Sequence, residues 1–342
     1  MKKIVGLAIV SMMISGLSFS QDTVKKAAEQ VAIQINPNTI SQLLDSLTLR
    51  IQINPSNDTA YLTRAYIRYA MMKDFRGAII DCTQAIRCKH FEPDAYTMRA
   101  VAKDSLLDYK GAIADLDSAI LLLPADAPAI PVGQLYAIRA FAKGCLGDFA
   151  GALADCDKQI QLNPNLSIAY SQRAFAEHGL QDYKGAIADN DKAIALDSTN
   201  AGAFNNRAFE KNKLKDYAGA ITDCNIAIKR DTGTVITSFA YANRGHARHG
   251  LKDYQNATAD FAKSIQTNPR NAFVYYYRGL QEYDLKDLKG AIADFDKAIE
   301  LEPDTRPFYT ARADARDFTG DHAGAKSDRA KAAAMTAKYQ KI

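Results

Sequence analysis

The chain is poor in the residues that usually announce chemistry. Its 342 residues include five histidines, five cysteines and no tryptophan. Cys82, Cys88, Cys145, Cys156 and Cys224 are odd in number and form no C-x-x-C pair, which disfavours both a disulfide framework and a zinc site. His90, His178, His246, His249 and His322 are scattered, whereas a closed metal site normally needs four ligands. His246 and His249, three apart, could share a helix face with Asp284 as a third ligand, but a solvated face is the simpler reading. Neither a metal nor another cofactor is expected. There is no dense run of Lys or Arg to track phosphates, so no nucleic-acid partner is expected. No nucleophile motif or phosphate loop is present, and the chain reads as non-catalytic.

Long apolar runs are also missing, with one exception. The opening "MKKIVGLAIVSMMISGLSFS" sets two lysines before an apolar stretch that ends in small residues. It is short for a membrane span and reads as a secretory signal over residues 1–20. Gln21 would then begin an exported, periplasmic or secreted chain with no membrane insertion. Removing Lys2 and Lys3 takes the formal charge from +4 to +2.

What the chain has in abundance is itself. "LQDYKGAIADNDKAIALD" at 180–197 has near-copies at 106–123, 146–163, 214–231 and 285–302. A column of arginine sets the register: Arg64, Arg99, Arg139, Arg173, Arg207, Arg244, Arg278 and Arg312, at gaps of 34 to 40 residues. An aromatic stands three residues before each arginine and Ala or Gly directly after it. An aspartate follows sixteen residues later, or seventeen in the first copy, from Asp81 to Asp328. Self-similarity at this period marks a stacked array rather than two globular domains.

Within a unit the spacing is helical. Ala186, Ile187, Asn190, Ala193 and Ile194 fall on one face, and the preceding L-x-D-Y/F places an aspartate such as Asp182 as N-cap. Gly111, Gly151, Gly185 and Gly219 follow three residues after their capping aspartates. Their helix-weakening presence suggests a close backbone approach from a neighbouring helix. Each unit is therefore helix–turn–helix, closed by a breaker at Pro164, Pro269 or Pro303. Helices this short need neighbours to be stable. Cys82, Cys156 and Cys224 share one column with Leu116, Phe261 and Phe295 and read as small core residues.

Aromatic, small residue, small residue and proline at these intervals resemble the tetratricopeptide repeat family over about residues 59–338. Tyrosine stands where the family often has tryptophan, and arginine where leucine is common. Each arginine then needs a neutralising partner, for which the aspartate column is the candidate. The resemblance implies an all-α, right-handed α-solenoid of about eight repeats, beginning near 59, 94, 134, 168, 202, 239, 273 and 307. An N-terminal helix and a degenerate partial repeat over 21–58 precede them, and a polar capping helix bearing Lys326 and Arg329 seals the array through 342. The insertions at 124–134 and 231–240 read as linker changes, the first a stiff extended excursion with three prolines.

In the resembled family the first helix of each pair lines a concave groove. That mapping implies a partner-binding face of Tyr69, Phe141, Phe175, His178, Asn205, Phe209, Asn212, Phe239, His246, His249, Phe273, Tyr276 and Tyr283. Rings would anchor an extended peptide or helix and amides would bond its backbone. Phe141, Phe175 and Phe209 could equally pack between helices. The expected function is a scaffold or adaptor for a protein or peptide. The alternatives are a structural subunit of an envelope or secretion complex and, requiring convergent polar groups not visible in the sequence, a hydrolase or carbohydrate-binding protein.

Overall fold

The computed structural model of the chain describes residues 37–89, 92–231 and 234–340. The signal segment, His90 and the first part of the segment 21–58 lie outside the described residues. Among the described residues there are seventeen helices and no strand. They are α1 (Pro37–Ile53), α2 (Asp58–Met72), α3 (Phe75–Cys88), α4 (Pro93–Asp104), α5 (Tyr109–Leu121), α6 (Ala129–Cys145) and α7 (Phe149–Leu162). Next come α8 (Ser167–Gly179), α9 (Tyr183–Leu196), α10 (Ala201–Lys213), α11 (Tyr217–Arg230) and α12 (Val235–Gly250). The last are α13 (Tyr254–Thr267), α14 (Ala272–Asp284), α15 (Leu288–Leu301), α16 (Arg306–Phe318) and α17 (His322–Gln340). The described residues divide into two compact units, those up to residue 172 and those from residue 173. In each, the two helices of a repeat pack on one another, the second helix packs on the next repeat, and first helices such as α10, α12 and α14 touch in sequence. The architecture is an all-α solenoid of repeats.

Each turn is built the same way. The first helix ends on a residue in the left-handed region, at Lys73, Leu107, Gln181, Lys215, Lys252 and Lys286 (φ 53 to 69°) and at Gly147 and Gly320. The chain reverses there, so the N–H of Asp108 reaches back to the Lys103 carbonyl at 2.9 Å. That aspartate then caps the second helix by accepting from the N–H three residues on, as Asp182 does from Gly185 at 3.0 Å. Asp74 and Asp321 do likewise, so all eight repeats share the device.

The glycine after the cap has a different cause from the one anticipated. A Cβ at Gly151 would stand 2.2 Å from Asp148 Oδ2, so glycine clears the capping carboxylate itself, not a neighbouring helix. Asn256 replaces it in the sixth repeat, and there the capping bond stretches to 3.4 Å.

The arginine and aspartate columns meet as bidentate pairs in every repeat. Arg207 Nε and Nη2 donate to Asp223 Oδ2 and Oδ1 at 2.8 and 2.5 Å. The other seven pairs repeat the pattern at 2.6 to 2.9 Å. The carboxylates are buried, that of Asp223 being only 2% exposed. The same arginine also reaches the preceding second helix. Nη1 donates to Thr48, Thr83, Asp117, Asp191, Asn225 and Asp296 from Arg64, Arg99, Arg139, Arg207, Arg244 and Arg312 in turn. One side chain thus closes its own pair and fastens it to the repeat before. The aromatic three residues earlier lies beneath the guanidinium, 5.2 to 5.8 Å away at the seven measured pairs. Tyr170, Tyr275 and Tyr309 also donate to the carbonyls of Pro164, Pro269 and Pro303, tying the breaker to the first helix.

Between the helices the small residues are buried as a set, from Ala65 and Ala78 to Ala313 and Ala325. Cys82, Cys156 and Cys224 are buried in the same seam, while Cys88 is exposed. Where this column turns to phenylalanine, the residue after the arginine shrinks. A Cβ on Gly245 would meet Phe261 at 2.5 Å, and one on Gly279 would meet Phe295 at 2.7 Å. Glycine plus phenylalanine fills the space that alanine plus leucine fills at Ala100 and Leu116.

Both insertions lengthen a first helix. α6 starts ten residues before Arg139 and α12 nine before Arg244, against six for α8 and α10. The expected extended excursion at 124–134 is therefore mostly a helical turn. Pro131 sits within that first turn, where no N–H partner is needed.

Asp223→Ala should lower stability by about 3 kcal/mol or more, because Arg207 loses its buried partner. Asp191→Ala, whose carboxylate is 56% exposed, should cost less than about 1 kcal/mol; urea unfolding compares the two. Gly279→Ala should cost about 1–3 kcal/mol by overpacking, and a second change, Phe295→Leu, should recover most of the loss in a double-mutant cycle.

Candidate functional site

The clamp occupies one side of each first helix, and the side chains two and five residues beyond the arginine leave on another. In residues 1–172, Tyr69 packs beside Phe75 at 5.3 Å and its hydroxyl lies 3.3 Å from Ser105 Oγ. Phe141 stands edge-on to Tyr109 at 6.4 Å and is 48% exposed.

In residues 173–342 the face is denser. Phe175 is 49% exposed, so it does not lie in the core between helices. His178 on α8 lies against the rings of Tyr183 and Phe209, and its Nδ1 is 2.9 Å from Oε2 of buried Glu210 on α10. Phe209 is half-buried under the Lys213 ammonium, 4.9 Å from its ring. Asn243 on α12 joins two of the expected amides: its Nδ2 donates to Asn205 Oδ1 at 3.0 Å, and its carbonyl accepts from Asn212 Nδ2 at 2.9 Å. Asn212 is thereby buried and serves as a strut between α10 and α12.

The two histidines of α12 behave differently. His249 Nε2 lies 2.9 Å from Asp284 Oδ2 on α14. His246 is not on a solvated face: it stacks on buried Tyr277 at 4.4 Å with 17° between planes, and its Nδ1 is enclosed without a hydrogen-bond partner. Burial, then the nearby His249 and Lys213, push its pKa down to about 4. Among the described residues no group of three or more His, Cys, Asp or Glu is placed to hold a metal ion.

Phe239 is partly buried on α12. Phe273 and Tyr276 sit between α14 and α16, with Phe308 at 5.4 and 5.1 Å. Tyr276 also touches Phe295 at 6.1 Å, so much of its ring joins the inter-repeat core. Tyr283 meets Phe318 edge-on at 5.6 Å, with the Lys286 ammonium over both rings. Phe318 is 65% exposed, six residues past its arginine, and belongs to this face.

Residues 240–271 and 272–305 each match the tetratricopeptide repeat family. Those residues are tetratricopeptide repeats. A tetratricopeptide repeat protein from Parabacteroides merdae superposes with a TM-score of 0.64 at 19% identity, over 75% of this chain and 97% of that one. The crystal structure of the APC/C hetero-tetramer Cut9–Hcn1 superposes with a TM-score of 0.58 at 15% identity, over 86% of this chain and 60% of that one. At these identities the likeness is one of fold. A search of curated proteins returns no match. Tetratricopeptide repeats are, in general, protein-interaction scaffolds. No helix among the described residues is long and apolar enough to cross a membrane.

His246, within the matched repeats, carries a proton linkage. Its folded pKa of about 4 lies below the ordinary 6.5, so the unfolded chain takes up the proton first. The stability it supports is complete above pH 6.5 and lost as pH falls toward 4, on the order of 2–3 kcal/mol. His246→Phe keeps the ring on Tyr277 and should flatten that acid limb in urea titrations between pH 7 and 4.

Proposed function

We propose that the protein is an exported, non-catalytic scaffold that holds an extended peptide or protein segment along the first helices of residues 173–342. The supporting observation is the contrast between two sets of positions on those helices. The arginine, its aromatic and its aspartate repeat from copy to copy and are consumed by the clamp. Two and five residues beyond the arginine, the copies read Phe175 and His178, Phe209 and Asn212, His246 and His249, then Leu280 and Tyr283. The rings at least partly open to solvent, Phe175, Phe209 and Tyr283, suit a ligand that inserts apolar side chains. The rows of helices are held by the clamp beforehand, so binding costs little ordering of the receptor. Export rests on the pattern of the first twenty residues.

A second reading, a fixed subunit of an envelope or secretion assembly, draws on α1. That helix exposes Leu43, Leu49 and Ile53, an apolar surface suited to a permanent neighbour.

A photo-crosslinking side chain in place of Phe175, His249 or Tyr283 should capture the partner. The same probe in place of Lys192 or Lys229, exposed on second helices, should not. Capture from the second helices alone would remove the first-helix face from the account, and capture from position 43 or 53 alone would favour the fixed subunit.

A further inference from the structure

Four residues after the clamp arginine, six repeats carry a second cation. Arg68, Lys103, Lys143, Lys211, Arg248 and Arg316 each reach the same buried aspartate at 2.6 to 3.0 Å. The aspartate is thereby held by two positive charges. The fourth and seventh repeats break this column, with Glu177 and Glu282 in the cation's place.

Both glutamates lie over the first turn of the following second helix. Glu177 Oε1 is 3.0 Å from where a Cβ on Gly185 would stand, and Glu282 Oε2 is 3.1 Å from the same point on Gly290. Each carboxyl faces two others: Asp189 and Asp182 around Glu177, Asp294 and Asp287 around Glu282. The facing cations are the clamp arginines, Arg173 in one case and Arg278, with Nε 3.9 Å from Glu282 Oε1, in the other. Several charges on adjacent elements are engaged elsewhere. Lys211 is held by Asp223, Arg248 by Asp260, His178 by Glu210, and Arg316 by Asp321 and Asp328. One oxygen of each glutamate, Oε2, is enclosed without a hydrogen-bond partner. Replacing a cation by a carboxylate changes the local charge by two, and like charges in a shared site favour keeping one of them protonated.

We propose that the fourth and seventh repeats are proton-dependent joints. With Glu177 and Glu282 protonated, α9 and α15 stay closed on their first helices. With the carboxyls ionised, those two helices loosen while α11 and α13, which keep the second cation, do not.

Burial, then the Asp189 or Asp294 charge, pushes each glutamate up to about 7 from its ordinary 4.5. The folded state thus holds the proton more tightly than the unfolded chain. The stability tied to it is complete below pH 4.5 and lost as pH rises to about 7, above which it stays lost. His246 has the opposite sign over an overlapping window, so global melting curves partly cancel and the test must be local.

Two measurements on the full chain provide it. The side-chain carboxyl carbon shifts of Glu177 and Glu282 should titrate with midpoints near 7; midpoints in the ordinary glutamate range would overturn the proposal. Amide exchange, corrected for its intrinsic pH dependence, should show α9 and α15 losing on the order of tenfold protection between pH 5 and 8, one pK unit being tenfold. Glu177→Gln with Glu282→Gln should abolish that loss, and Glu177→Lys with Glu282→Lys should raise protection at pH 8. An equal loss in α11 and α13, or a loss that survives both double variants, would refute it. If the variants do not fold, the carboxyl titration of the unaltered protein still decides.

Discussion

The stack depends on a buried aspartate that must be kept from water without being left alone. Removing a carboxylate from solvent costs several kcal/mol, and only close, well-oriented donors offset that. Here Nε and Nη2 of one arginine supply two parallel bonds, and in six repeats a Lys or Arg one turn later supplies a third. The third guanidinium nitrogen reaches the preceding helix pair. Closure within a repeat and attachment between repeats therefore share one side chain. Loss of that arginine removes both, which suits an array whose units each bury only part of their surface and rely on neighbours for the rest.

The clamp also sets what its surroundings can be. A guanidinium laid across two helices requires them to approach closely, hence the run of alanine between them. Where Phe261 or Phe295 takes more of that space, Gly245 or Gly279 gives it back. The aromatic under the arginine is held by the cation above and, in several repeats, by the proline carbonyl that ends the previous helix pair. Only side chains facing away from these contacts are free to differ between copies. Variation is thus confined by packing to the same positions in every first helix, with no change in the fold.

The fold was readable because its determinants recur at fixed spacing. The period, the pairing of Arg173 with Asp189, the capping role of Asp182 and the core placement of Cys224 all follow from columns. Less legible were features whose cause is a neighbour. The glycine at 151 answers to its own cap. Pro131, one of the three prolines of 124–134, enters a helix because a first turn tolerates it. The second cation is itself a column, legible in principle, but it looks like ordinary surface charge until the aspartate beneath it is known. The face was harder still. Asn212 reads as a peptide-binding amide yet is spent on the Asn243 carbonyl, Tyr276 is largely committed to α16, and His246 is enclosed by Tyr277. Each lies on the helix and register that the spacing indicates; what spacing cannot tell is how far the next repeat's side chains reach over it.

Irregular members of a regular column hold the remaining information. In residues 173–342 three titratable groups break the local rule: His246 sits enclosed without a partner for Nδ1, and Glu177 and Glu282 stand where cations belong. The histidine favours the fold when deprotonated and the glutamates when protonated. Their windows overlap and their slopes oppose, so the whole unit can show little net dependence on pH while its parts move in opposite directions. Nearest-neighbour coupling permits this, because a change at α9 or α15 is felt mainly by the pairs beside it. Residues 173–342 would then be stiff in some places and yielding in others, at a ratio set by proton concentration.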